Sequence, residues 1–208
     1  MESSNFNAVS KETRDDLEVL VGAGITGDFY LAGGTGLAFL LDHRASHDLD
    51  FFCESVFGED MLTTHLMRAG DFVLEKKEEG TIRGRFINTL VSFFHYPYPL
   101  LEEPRIVSGI AIADIADIAV MKLDALASRG AKRDFIDLYI ILHQDGVSLK
   151  ELLTLFSKKY QALNYNLMHI TKSLVYFADA EHDPMPMMKT PIEWERVKEF
   201  FVAEVRRI

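Results

Sequence analysis

The sequence has a single cysteine, Cys53, in 208 residues, so no disulfide can form within the chain, and a reducing compartment suits it. Cys53 follows Phe51 and Phe52 and reads as a small buried hydrophobe on a strand, not as a reactive thiol. Positive charge is scarce as well. Lys and Arg number 22 against 32 Asp and Glu, a net charge of −10. That excludes a general nucleic-acid coating protein; any RNA contact must rest on a local basic patch. No apolar run approaches the roughly 18 residues needed to cross a bilayer. The opening MESSNFNAVSKETRDD lacks the apolar centre of a secretion signal. The expectation is a cytoplasmic protein with no membrane partner. Internal repeats and low-complexity tracts are also missing. What is present is ordinary globular material. With 48% apolar and 26% charged residues, the chain is long enough for one substantial core or two small lobes.

Periodicity divides the chain into a mixed part and a helical part. Residues 11 to 22 read as a helix with Leu17, Val19, Leu20 and Val21 on its apolar side, broken by Gly22, Gly24 and Gly27. Phe29–Ala32 reads as a strand, Gly33-Gly34 as a turn, and Thr35–Leu41 as a short helix with Leu37, Phe39, Leu40 and Leu41 inward. Asp48–Cys53 is the next strand. A helix over residues 59 to 69 places Met61, Leu62, Leu66 and Met67 at helical spacing. Strands follow at Phe72–Lys77, Thr81–Asn88 and Thr89–Tyr96; the turn Glu78-Glu79-Gly80 makes the first two a hairpin, and Pro97 and Pro99 end the third. Arg105–Ile112 reads as one extended piece.

From Asp114 onward every segment reads helical: Asp114–Ser128, Lys132–His143, Leu149–Tyr160, Leu167–Ala180 and Ile192–Arg207. Ser148 looks like an N-cap, and Pro191 stands at a helix start. Strands mixed with helices, then helices alone, give an α+β fold in two lobes. The first, residues 1–112, is a small mixed β-sheet with flanking helices; the second, 113–208, is a helical bundle.

The chemistry concentrates in FYLAGGTGLAFLLDHRASHDLDFF, residues 29 to 52. Gly33, Gly34 and Thr35 form a tight turn at a helix N-terminus, where backbone N–H groups and a hydroxyl suit phosphate. Asp48 and Asp50 alternate on a strand, so both carboxylates project to one face while Leu49 and Phe51 face the core. Two carboxylates side by side need cations between them, or one stays protonated. Their oxygens suit one or two Mg²⁺ ions, or Mn²⁺. The plainer alternatives are an ordinary strand-to-helix turn and two solvated aspartates. Aspartate is a poor strand former, and the apolar flanks argue against an exposed strand. His43 and His47 lie in a turn without a third nearby ligand, which excludes a zinc site.

This segment resembles the signature of the DNA polymerase β-like nucleotidyltransferase superfamily, Gly-Gly-Ser/Thr followed by Asp-x-Asp/Glu on the next strand. With Arg44 ahead of the Asp pair and KLDALASRGAKRDFIDLY at 122–139, the chain more closely resembles the AbiEii/AbiGii-type nucleotidyltransferase toxin family over residues 28 to 143. The resemblance implies transfer of a nucleoside monophosphate from an NTP to an acceptor, tRNA or protein, and a cognate antitoxin as partner. It makes Asp48 and Asp50 the metal ligands. Gly33, Gly34, Thr35, Arg44, Lys122 and Arg129 become nucleotide-binding residues, and Lys122 with Asp134 or Asp137 joins the catalytic set. The expected cleft has the Gly-Gly and Asp residues on one wall and Lys122, Asp134 and Asp137 on the other.

Spacing alone places Lys122 and Arg129 on one helix face, and makes Asp134 and Asp137 an i, i+3 pair after Gly130. A solvated charged face would look the same. The chain also departs from the superfamily pattern. The third carboxylate is expected on Leu90-Val91-Ser92-Phe93-Phe94, where Ser92 stands instead; Glu75 is a remote substitute. A serine is no general base at neutral pH. The departure opens a second reading, a degenerate nucleotidyltransferase fold that binds nucleotide or a protein partner without turnover.

Overall fold

The computed structural model describes residues 9–144, 147–163 and 165–208. Residues 1–8, part of the opening read above for a secretion signal, lie outside it. The chain forms two compact units, Met1–Asp114 and Ile115–Ile208.

Among its described residues the first unit carries seven strands: β1 (Tyr30–Leu31), β2 (Leu49–Cys53), β3 (Phe72–Glu78), β4 (Thr81–Phe86), β5 (Thr89–His95), β6 (Arg105–Val107) and β7 (Ile110–Ile112). They lie side by side in the order β3-β4-β5-β2-β1-β7-β6. β2 runs parallel to β5 and β1 parallel to β7, while the other neighbours are antiparallel. Helices α1 (Lys11–Gly22), α2 (Gly33–Leu41) and α3 (Glu59–Ala69) complete the unit.

Strand alternation gives this sheet a dry face and a mixed one, on which Asp50 and Ser92 share the surface with stacked Tyr30, Phe52 and Phe94. Leu49, Phe51, Ile82, Phe86, Val91 and Phe93 are buried on the dry face. Phe51 stacks on Phe93 with ring centroids 5.0 Å apart, and Phe29 meets Phe93 edge-on at 5.1 Å. Each such pair adds about 1 kcal/mol beyond the area it buries. Gly84 also belongs to this face, and a Cβ there would come within 2.6 Å of the Phe72 ring. Cys53 is buried, as expected, and burial, with Asp28 adding to it, pushes its thiol up to about 11.

Four details differ from the sequence reading. Arg105–Ile112 is a hairpin, not one extended piece; Ser108 and Gly109 take φ of 51° and 81°, the geometry of a two-residue hairpin turn. Val19 of α1 faces outward, whereas Asp16 is buried. Asp16 Oδ2 accepts from the Asn88 N–H at 3.0 Å and the Thr89 hydroxyl at 2.7 Å, and these bonds make its burial tolerable. On α3 Leu62 and Leu66 are buried and Ala69 packs against the core, whereas Met61 and Met67 are exposed. Leu40 and Leu41 are only half-buried.

The second unit holds α4 (Ile115–Arg129), α5 (Lys132–Gln144), α6 (Leu149–Lys159), α7 (Leu167–Ser173) and α8 (Trp194–Val205). Ser148 caps α6 in a full capping box with Glu151. Phe135 anchors the core against Phe177, Trp194 and Phe201, at 5.2, 5.7 and 5.5 Å. α7 stops at Ser173 rather than Ala180, and the chain beyond it sets Phe177 against Phe135. α8 starts at Trp194 with Glu193 as N-cap, so Pro191 lies ahead of the helix. Lys159 of α6 and Asp117 of α4 form a fully buried ion pair at 2.6 Å. Among the described residues no helix is long and apolar enough to cross a membrane.

Candidate active site

β1 passes into α2 through Gly33, whose φ is +64°. A Cβ at Gly33 would lie 2.9 Å from Asp50 Oδ2, so a side chain would strain the turn and strike the carboxylate together. Gly34 is crowded from elsewhere: a Cβ there would collide with Nη2 of Arg44. The glycine pair therefore keeps an anion, Asp50, and a buried cation, Arg44, close against one turn. Arg44 is steadied by donating from Nη1 to the Ala45 carbonyl at 3.0 Å. The leading N–H groups of α2 have no acceptor inside the helix, and its dipole favours an anion at that end.

Thr35 is placed differently from a phosphate ligand. Its hydroxyl is buried, 2.8 Å from Ser46 Oγ, and hydrogen-bonds to the Asp48 carbonyl. It holds the loop that leads into the Asp pair. What the turn offers a phosphate is backbone.

Asp48 is exposed and immediately precedes β2, which starts at Leu49 rather than Asp48; Asp50 is half-buried within the strand. Ser92 on β5 is the register partner of Asp50 and is itself buried. The residue in the third-carboxylate position is thus a serine lying directly beside the pair. Glu75 does not replace it. β3 is three strands away from β2, and Glu75 faces Arg83 Nε at 3.7 Å. Among the described residues, no group of three or more His, Cys, Asp or Glu side chains is placed to hold a metal. Two carboxylates and a hydroxyl are hard oxygen donors. That set fits Mg²⁺ arriving with nucleotide phosphates, because Mg²⁺ is commonly held by one or two carboxylates plus phosphate and water.

Two residues of this face escaped the sequence reading. Arg83 is the register partner of Ser92, and Arg85 the partner of Leu90. Both are exposed, and with Asp48, His47, Thr13 and Glu75 they line a cavity of ≈ 550 Å³. The signal lay in Thr81-Ile82-Arg83-Gly84-Arg85-Phe86, where basic residues alternate with core residues.

The helical unit has its own charged cluster. Gly130, at φ +58°, turns the chain from α4 into α5. Lys122 Nζ donates to Asp134 Oδ1 at 2.8 Å and pairs with Asp137 Oδ2 at 2.6 Å. Arg129 adds a two-pronged contact to Asp134, at 2.8 and 3.1 Å. Both aspartate side chains are fully buried and Lys122 nearly so, whereas the Arg129 side chain is 52% exposed. A solvated helix face is therefore excluded. Burial pushes the Asp134 carboxyl up, but Lys122 and Arg129 outweigh it and hold it below the usual carboxylate range. Lys122 has three donors, and two are taken by the aspartates.

A strand–glycine–helix turn set against a carboxylate pair on a mixed sheet marks the nucleotidyltransferase fold, and solved structures agree. The chain is similar to a provisionally assigned nucleotidyltransferase from H. pylori, with TM-score 0.60, 18% identity and 95% of each chain covered. It is also similar to MenT4, a nucleotidyltransferase toxin of Mycobacterium tuberculosis H37Rv, with TM-score 0.52, 15% identity, and 96% and 86% of the two chains covered. At such identities the likeness shows the fold. An uncharacterized protein of Aquifex aeolicus (strain VF5) is 40% identical over 202 residues, spanning 95% of this chain and 96% of the relative. The profile of the family described as "Nucleotidyl transferase AbiEii toxin, Type IV TA system" matches residues 17–207. The chain belongs to this family of nucleotidyltransferase toxins.

Proposed function

We propose that this nucleotidyltransferase moves a nucleoside monophosphate from an NTP to a hydroxyl of tRNA or of a protein, with Mg²⁺, in the cytoplasm, and that a cognate antitoxin restrains it. The observation that carries the reading is the Asp50 carboxylate packed against the Gly33 turn. The arrangement puts a phosphate seat and a carboxylate pair side by side. The acceptor oxygen bonds to the α-phosphorus, the bond from that phosphorus to the bridging oxygen breaks, and pyrophosphate leaves. The hydroxyl proton passes to solvent or to a carboxylate of the pair. Asp48 and Asp50 would hold Mg²⁺, which would neutralise the phosphate charge.

The chain's own groups do the rest. The N–H groups of Gly33, Gly34 and Thr35 seat the terminal phosphates, and the Thr35 hydroxyl fixes the Asp48 loop. Arg44 adds positive charge beside that seat. Within the helical unit, Asp134 and Asp137 orient the Lys122 ammonium, which keeps one proton for an anion, and the exposed half of Arg129 adds positive charge to that cluster.

The test is transfer from α-³²P-labelled NTPs, each supplied separately with Mg²⁺ or Mn²⁺, to total tRNA or whole-cell lysate. Label in RNA or protein that disappears in Asp48→Ala/Asp50→Ala supports the reading and names the acceptor class. No label from protein that still binds NTP identifies a binding module without turnover. Ser92, beside Asp50, is then the cause, and Ser92→Asp should restore labelling.

A further inference from the structure

We propose that Arg83 and Arg85 of β4 form a second anion subsite, separate from the glycine turn, that takes successive phosphodiesters of a single-stranded nucleic-acid acceptor. The inference rests on the transfer reading above and deepens it. Its first support is direction. In-line displacement needs the attacking oxygen and the leaving pyrophosphate on opposite sides of the α-phosphorus. The glycine turn lies at the β1 side of β2, whereas β5 and then β4 lie on the other side. An acceptor therefore approaches Asp48 and Asp50 over β5 and β4. Arg83 stands in register with Ser92, which is in register with Asp50, so the arginines lie on that approach.

The second support is charge. The Arg85 side chain makes no hydrogen bond or ion pair with any described residue, in a chain of net charge −10. Arg83 has only the long contact of 3.7 Å to Glu75. Both guanidinium groups border the ≈ 550 Å³ cavity that also reaches Asp48. Residues two apart on a strand are about 7 Å apart, so this pair addresses neighbouring phosphates rather than two oxygens of one. Glu12 and Glu75 share the cavity, so an anion is accepted at the arginines and repelled elsewhere. Asn88, exposed on its wall, offers a neutral amide for sugar or base. A bare protein hydroxyl would use neither arginine.

The experiment measures binding of a short fluorescein-labelled single-stranded RNA by anisotropy across a salt series, with NTP binding followed in parallel. Wild-type protein should bind RNA with a salt-dependent affinity. Arg85→Ala should weaken it roughly tenfold and lower the salt slope by about 1, and the Arg83→Ala/Arg85→Ala pair by about 2. Arg85→Lys should recover most of the loss, and NTP affinity should stay at the wild-type value. Arg85 is exposed and unpaired, so these substitutions leave folding intact. RNA affinity unchanged in the double variant overturns the proposal, as does wild-type protein that fails to bind RNA at low salt. An acidic phosphopeptide that displaces RNA at equal concentration overturns it too, in favour of a protein acceptor. Label transfer by the wild-type protein separates the two readings: arginine-dependent RNA binding without any label transfer would fell the transfer reading and leave the subsite standing. Transfer onto protein without RNA binding would do the reverse.

Discussion

The sheet unit and the helical unit both gather charge, but in opposite states. On the sheet, Asp48, Arg83 and Arg85 are exposed around an open cavity, and Arg85 pairs with no described residue. In the helices, Lys122, Asp134 and Asp137 are buried and already matched against each other. The difference separates charge that waits for a ligand from charge that has been neutralised within the protein. Removing the first kind should harm binding and chemistry while sparing the fold. Removing the second should harm the fold itself, because a buried ion that loses its partner has no water to replace it.

The largest contrast comes from the open site. Asp48→Ala should lower transfer by at least about a thousandfold through loss of a metal ligand. Its stability should stay within about 0.5 kcal/mol of wild type, because the side chain is exposed. Transfer rates beside urea midpoints read both quantities, and a large drop in midpoint would break the contrast. Next in size is Lys122→Met, which takes the ammonium from two buried carboxylates, of which Asp134 keeps Arg129, and should cost about 3–5 kcal/mol. Adding Asp134→Asn and Asp137→Asn should recover much of that stability without recovering transfer. A triple variant with wild-type transfer would show that the buried cluster only holds α4 to α5.

Gly33→Ala tests the join between turn and carboxylate. The left-handed backbone there should cost about 1–2 kcal/mol, and the crowding of Asp50 should weaken Mg²⁺-NTP binding in addition. Isothermal titration beside thermal melting separates the two effects; a melting loss with unchanged nucleotide affinity would confine Gly33 to a folding role. The smallest effect is a pH dependence. Asp134 sits below the ordinary aspartate value when folded, so its contribution is fully present above about pH 4 and fades as pH falls through its folded value. Unfolding midpoints should therefore drop below about pH 4, less steeply in Asp134→Asn. An equal slope in both proteins would assign the acid loss to other carboxylates.

Much of this was legible in the sequence where one local rule decides the outcome. Helix periodicity and turn residues gave α1, α3, the β3–β4 hairpin and the capped start of α6 within a residue or two. The Gly33-Gly34 turn and the alternation of Leu49, Asp50 and Phe51 were readable because each needs only neighbours in sequence, whereas the strand starts one residue after Asp48. The arginine pair was not, since its meaning depends on β4 lying two strands from Asp50, a non-local fact. Thr35 was assigned to phosphate on chemistry alone, and the fold turned its hydroxyl to the Asp48 loop. Val19 and Asp16 exchanged places for a related reason: a polar side chain goes inside when it meets unsatisfied donors, here Asn88 and Thr89 from 72 and 73 residues away.

Gly84 has a consequence for how this protein can drift or be evolved. It lies between Arg83 and Arg85 and beneath the Phe72 ring, where even a methyl group would push β3 away from β4. In a saturation library, position 84 should tolerate glycine alone, although it contacts no substrate and carries no charge. A smaller residue at position 72 would not free the site, because the Val73 carbonyl would still lie 2.5 Å from the added Cβ. The glycine accordingly locks the spacing of β3 and β4, and with it the position of the two arginines that flank it.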